Sequence, residues 1–379
     1  MARHSFLLGL ITGLLAILSY TTAEDVKITD IFTVQDGSRD GGCDGRMAEL
    51  DQWLSESSFS VTTALENLEK YDQLLSVRRA MLIFFGIPSR NKLEPESGDS
   101  NQEDGPRRAA FNAVKRYLEY VEDFLNHKQE SSGKVLYGKD NFHLHCHSTF
   151  LSLHQPTDPA LDFQANEMQD QDGITILVQD VPVYQEKLAE DPDNRVFWSG
   201  ELTKQNGYYF TESGANMCDD SDHLGGTADL QILEPGANGQ AQRGDPKINV
   251  ILCPSSFDNT EKAASYREAN NGLTDGVDLA EAVPRSATLL HEIFHALNGG
   301  IFLDGNSEKY ALTECIDLAK KNPAKARLNP ENYVFFITHM YHLFGEDEGE
   351  DPISIPTNWD FRVATISGVQ GLRAFRSGN

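Results

Sequence analysis

The residues of this chain best suited to chemistry are His291-Glu292-Ile293-Phe294-His295. Two histidines four positions apart on a helix lie one turn apart on the same face. Both imidazoles can then bind one metal ion. The glutamate between them stands where it can take a proton from a water that the ion activates. This H-E-x-x-H spacing is the pattern of zinc-dependent peptide hydrolysis. The flanks suit a helix over 285–298, with Ala287-Thr288-Leu289-Leu290 before the motif, Ala296-Leu297 after it and Gly299-Gly300 to stop it. The plainer alternative is a core helix carrying two solvated or hydrogen-bonded histidines.

A catalytic zinc site takes three protein ligands and keeps a position open for water. An extended H-E-x-x-H-x-x-G-x-x-H pattern does not supply the third, because Asn298 stands where it needs Gly and Ile301 where it needs His. The carboxylates that follow are Asp304, Glu308 and Glu314. Asp304 is the first choice, as the only aspartate of the loop after the motif. Glu308 is the second, and Glu314 the third if it lies on a second helix facing the first. Each has an ordinary alternative: Asp304 shaping a turn with Gly305, Glu308 and Glu314 as solvated helix residues. A separate set, His143, His145 and His147, alternates along Phe142–His147 and would share one face of a strand. Three imidazoles there could bind a metal without the helix, although solvated histidines are the commoner outcome.

Positioning these residues requires a folded scaffold, and its elements are readable. Met47, Leu50, Trp53 and Leu54, then Leu65, Leu68, Tyr71, Leu74 and Leu75, recur at helical spacing from about Arg46 to Phe85, where Gly86-Ile87-Pro88 breaks the run. Residues 88–107 read as an exposed acidic loop. A helix follows from Arg107 to Asn126, with Phe111, Val114, Tyr117, Leu118, Val121 and Leu125 facing inward. Strands are predicted at 142–146, 173–178, 195–198, 207–210 and 248–253, the last ended by Pro254. Residues 212–245 read as a long loop. Helices return over 285–298, about 307–320 and 330–343, and the tail 345–379 is weakly patterned. No internal repeat or domain boundary is visible, so 24–379 is expected to be a single domain.

The first residues read as a signal peptide, 1–23: Arg3, an apolar run from Phe6 to Leu18, and Thr21-Thr22-Ala23 as a cleavage site. No later stretch is long and apolar enough to cross a bilayer, so a secreted, extracellular protein is expected. The chain of 379 residues carries a formal net charge of -26, which disfavours nucleic acid or an anionic membrane as partner. Of the cysteines Cys43, Cys146, Cys218, Cys253 and Cys315, most should pair in an oxidising compartment, leaving one thiol over. There is no C-x-x-C, which makes cysteine a poor metal ligand here.

In the order of its features the chain resembles the deuterolysin-type metallopeptidases, the aspzincins. The resembling segments are Phe84-Phe85-Gly86, Val250–Pro254, the H-E-x-x-H helix, Tyr310–Ala319 and Asn329-Pro330-Glu331-Asn332-Tyr333. The resemblance covers roughly residues 43 to 340, and only the H-E-x-x-H is specific by itself. It implies an α+β, mainly helical, zincin-like metallopeptidase fold, with a small β-sheet beside the active-site helix. It implies Zn2+ as cofactor, a protein or peptide substrate, and Glu292 as general base. It also implies the disulfides Cys43–Cys146 and Cys218–Cys253, with Cys315 unpaired. One departure stands out. The family's aspartate ligand falls on Ser307, a poor zinc ligand, so the loop is altered or the ligand has moved. Tyr310, close to that loop, is a candidate oxyanion donor. The reading that follows is a secreted zinc endopeptidase; the alternative is a catalytically inactive binding or effector protein on the same fold.

Overall fold

The computed structural model describes residues 26–90, 92–94, 105–203, 205–211, 214–237, 240–303, 307–345, 358–366 and 368–376. The signal segment 1–23, Asp304 and much of the loop 88–107 lie outside the described residues. The chain opens with α1 (Ile28–Ile31) and β1 (Thr33–Val34), then three long helices, α2 (Met47–Leu68), α3 (Leu75–Phe85) and α4 (Pro106–Leu125). The middle holds β2 (Phe142–His145), β3 (Ser152–His154), α5 (Pro182–Glu190), β4 (Arg195–Trp198), α6 (Gly200–Thr203) and β5 (Tyr208–Thr211). It continues through β6 (Gly225–Leu230), β7 (Leu233–Pro235), β8 (Ala241–Arg243) and β9 (Lys247–Leu252). The helices α7 (Pro254–Asp258), α8 (Tyr266–Gly272), α9 (Ala287–Asn298), α10 (Leu312–Lys321), α11 (Pro323–Ala326) and α12 (Pro330–Phe344) follow. A hairpin, β10 (Trp359–Ile366) and β11 (Val369–Arg376), comes after them. The architecture is mixed α+β.

The main core forms around α12. From Asn332 to Leu343 every residue is buried, the pattern of a helix covered on all sides. Helices α2, α3, α9 and α10 pack against it. Helix α3 ends at Gly86, whose φ of 65° is the left-handed cap that glycine adopts readily. A Cβ at Gly86 would lie 2.5 Å from the Ala319 carbonyl oxygen, so the glycine also lets α3 approach α10. Between these elements the fully buried Asn332 donates to the carbonyls of Phe84 (2.6 Å) and Cys315 (3.2 Å) and accepts from Asn329 (2.8 Å).

Beside this core lies a four-stranded sheet in the order β1-β2-β9-β6. Strands β1, β2 and β9 run parallel, and β6 closes the sheet antiparallel to β9. The two-residue period of a strand divides its side chains. Phe142, Leu144, Val250 and Leu252 join the main core. His143, His145, Asn249 and Ile251 alternate with them and face the other way. A smaller sheet, β3-β4-β5, contributes Val196, Trp198 and Tyr208 to a second core. Disulfides join Cys43 to Cys146 and Cys218 to Cys253, and Cys315 is free and buried. Among the described residues no helix is long and apolar enough to cross a membrane.

Four expectations need correction. Residues 173–178 do not form a strand: Thr175 and Leu177 make only isolated bridges, and Ile174 is mostly exposed, so its apolar side chain has no sheet face to fill. The segment 212–245 is not simply loop, since it contains β6, β7 and β8. Helix α10 begins at Leu312, not 307, because residues 308–310 form no helix. The tail is no unpatterned stretch: its described residues form the β10–β11 hairpin, where Asp360 faces His339 of α12 at 3.4 Å.

Replacing Asn332 by Ala would leave the Phe84 and Cys315 carbonyls without this donor. A loss of about 1–3 kcal/mol for each buried group left unpaired is expected. Urea unfolding should show it as a lower midpoint at unchanged slope.

Candidate metal centre

Helix α9 carries the motif, and its apolar positions anchor it. Leu289, Leu290, Ile293 and Phe294 are fully buried, which holds the opposite face, with His291 and His295, toward the segment between α9 and α10. That segment brings Glu308 to the pair. One carboxylate oxygen lies 3.2 Å from His291 Nε2 and the other 3.3 Å from His295 Nε2. Among the described residues this is the only group of three histidine, cysteine or acidic side chains whose ligand atoms lie within 4.8 Å of one another. The second-choice carboxylate is therefore the one that meets the histidines. The first choice, Asp304, lies outside the described residues. Glu314 is exposed in the first turn of α10 and takes no part in the cluster. The strand histidines form no such group either, and His147 Nδ1 accepts from the Thr149 amide at 3.2 Å.

The donor set fits a metal ion on three grounds. The first is proximity: the ligand atoms of the three side chains lie within 4.8 Å of one another, with a separate carboxylate oxygen turned to each imidazole. The second is charge. His291 Nδ1 lies 2.9 Å from the Glu331 carboxylate, which leaves a neutral His291 with its Nε2 lone pair facing Glu308. Lone pairs opposed in this way need a positive charge between them. Without a metal, protons supply it. Burial by itself would lower the His291 pKa, but Glu308 and Glu331 outweigh it and raise it well above the ordinary imidazole value. Burial would likewise raise Glu308, yet the two imidazoles hold it down at about 2. The third ground is access. The Glu308 side chain is 1% exposed, whereas His291 and His295 keep 12% and 15%, so the carboxylate is shut off from water while the imidazoles keep contact with it.

Several further residues hold these three in place. Asn329 grips the backbone beside Glu308, accepting from the Lys309 amide at 2.9 Å and donating to the Lys309 carbonyl at 2.8 Å. The Tyr310 hydroxyl donates to Glu308 at 2.7 Å, and its ring lies 5.9 Å from that of His291. Burial, then the nearby Glu308 charge, raises the phenol pKa and keeps it protonated. The predicted oxyanion donor thus has its proton directed at Glu308. Glu292 is buried beside β6, and the Thr227 hydroxyl lies 2.8 Å from its carboxylate and 3.1 Å from its carbonyl. Gly225, two residues earlier on the same strand, leaves room for it: a Cβ there would come within 3.2 Å of the Glu292 carboxylate.

Sequence reasoning missed Thr227, Asn329 and Glu331 as site residues. Asn329 and Glu331 lie in the Asn329–Tyr333 segment that carries the aspzincin resemblance, which was the available signal. Thr227 gave none. No protein-family model, curated protein or solved structure matches this chain.

Metal binding should depend on these residues in graded fashion. Glu308→Ala is expected to abolish zinc binding measured by calorimetry at neutral pH. Glu331→Gln should weaken it about 10- to 100-fold, the usual cost of losing an outer-shell carboxylate. Changing His143 should leave it unaltered.

Proposed function

We propose that this protein is a secreted zinc endopeptidase of the aspzincin kind, on a zincin-like fold, with Glu308 in place of the family's aspartate ligand. The observation that carries the reading is the meeting of His291, His295 and Glu308, with Glu292 on the same helix held by Thr227 of the adjoining strand β6. A ligand set of two imidazoles and one carboxylate suits zinc. Bound there, zinc would polarise the scissile carbonyl and a water molecule as a Lewis acid.

The chain's own residues do the rest. Glu292 accepts the proton of the attacking water as its oxygen bonds to the carbonyl carbon. It then returns that proton to the amine as the C–N bond breaks, giving a new carboxylate and a new amino terminus. Thr227 holds the Glu292 carboxylate in one orientation, so little reorganisation is needed at the moment of transfer. Glu331 keeps His291 in the tautomer that points Nε2 at the metal site. Strand β6 is the outer strand of its sheet and lies against α9. An extended substrate pairing with it would pass in front of the imidazoles, as in β-strand addition.

Glu292→Gln should retain zinc affinity within a few fold and lose at least about 10³-fold in kcat on an unfolded protein substrate, near the upper range for a general base. Cleavage by the variant at wild-type rate would refute the reading. Thr227→Val is expected to lower kcat about tenfold with KM little changed, because the hydroxyl orients the base and does not bind substrate.

A further inference from the structure

Strand β6 is paired on one side only over the stretch beside the metal centre. Its ladder to β9 alternates between residue pairs that exchange both backbone hydrogen bonds and pairs that exchange none. The Cys253 amide donates to the Leu224 carbonyl at 2.9 Å, and the register sets Gly226 opposite Ile251 and Ala228 opposite Asn249. Leu224, Gly226 and Ala228 therefore turn their backbone groups toward β9. Those of Gly225, Thr227 and Asp229 point the other way, out of the sheet edge. Gln231 continues this series, and there the edge is occupied: its amide and carbonyl both bond to Tyr208 of β5, at 2.8 and 2.9 Å. Among the described residues no such bond reaches the backbone of Gly225 or Thr227. The open stretch is thus the part beside Glu292, whose carboxylate Thr227 holds and a Cβ on Gly225 would approach to 3.2 Å.

A peptide strand added here would bond to Gly225 and Thr227 and set one of its residues opposite Gly226. Side chains alternate across a sheet, so that residue projects to the face away from α9. On this face the edge is apolar. Leu224, Gly226 and Ala228 share it; Leu224 is 36% exposed, and Gly226 offers bare backbone. Met217 lies over them, half-buried: a Cβ on Gly226 would meet its Sδ at 3.1 Å. The neighbouring Cys218, bonded to Cys253, ties Met217 to the end of the strand pair. We propose that this shelf of Leu224, Gly226, Ala228 and Met217 selects substrates by one bulky apolar side chain, Phe, Leu or Met, near the cleaved bond; the proposal rests on the endopeptidase reading. A large cross-strand neighbour covers an edge glycine well. The flexible thioether of Met217 adapts to aromatic and aliphatic partners alike. Gly226 and Ala228 are too small to fill the shelf themselves, so the occupant brings the bulk. None of the four residues carries a charge to attract a polar side chain. Asp219, Asp220 and Asp222 precede the strand, but all three are exposed, where water and salt weaken their pull on a cation.

The test uses a short peptide of alanine and serine with one central phenylalanine, beside counterparts with lysine or alanine at that position. Each is titrated by calorimetry into the mature Glu292→Gln protein with zinc, and hydrogen exchange of the 224–229 segment is followed by mass spectrometry. The phenylalanine peptide is expected to bind at least about tenfold more tightly than either counterpart and to slow exchange in that segment. Leu224→Glu, a change at an exposed position, should weaken its binding at least about tenfold. Equal or tighter binding of the lysine peptide, equal binding of the alanine peptide, unchanged exchange, or binding unaltered in Leu224→Glu would each overturn the proposal. Cleavage by the wild-type protein is scored separately. A phenylalanine peptide that binds and protects the edge but is never cut would sink the endopeptidase reading and leave the shelf standing as a peptide-binding edge.

Discussion

A carboxylate pressed between two imidazoles and shielded from water sets the terms for everything near it. Glu308 is almost wholly shielded from water, and Glu292 and Glu331 stand close by. Anionic groups gathered around neutral histidines would repel one another strongly where solvent screens little. The arrangement holds only if positive charge is shared among them, from protons or from a metal ion. An ion that binds the native state alone adds its binding free energy to the stability of the fold. The centre is thus a place where folding and ligand binding are thermodynamically linked.

The rest of the structure supplies the rigidity this needs. Helix α12 anchors one side, with Glu331 in its first turn and a buried body that the surrounding helices cannot release without exposing the core. Asn329 and Asn332 convert that anchoring into hydrogen bonds on the backbone of the Glu308 segment and of α3 and α10. From the other side, α9 is held against β6 and β9. Two ligands and the base therefore share α9, the third ligand comes from the segment before α10, and a loosened helix anywhere in the core that joins them would be felt at the site.

What could be read from sequence follows from how local each signal is. The H-E-x-x-H helix was legible because the 3.6-residue period and the spacing of its histidines lie within one element. The long helices α2, α3, α4 and α12 announced themselves by their apolar stripes. Glu308 was in view but could not be separated from Asp304 and Glu314. The choice depends on the path of the segment joining α9 to α10, and residues 308–310, expected there as helix, form none. Strand β6 was hidden because Gly225, Gly226, Ala228 and Asp229 have low strand propensity, and pairing with β9 forms it. Thr227 was hidden with it. The alternation of His143 and His145 was readable as a shared strand face, but their burial against Asn249 and Gln205 arises only in the assembled sheet.

Strand β6 also shows what the Cys218–Cys253 link contributes. A strand rich in glycine and alanine grips its neighbour weakly, and sliding by one residue would turn Thr227 away from Glu292 and bring Ala228 in its place. Cys218 lies shortly before β6 and Cys253 directly follows β9, so the sulfur bridge spans the pair at the end where Gly225 meets Leu252. It acts as an alignment pin: it fixes which residue of a slippery edge stands opposite the base, a choice that side-chain packing there is too sparse to enforce.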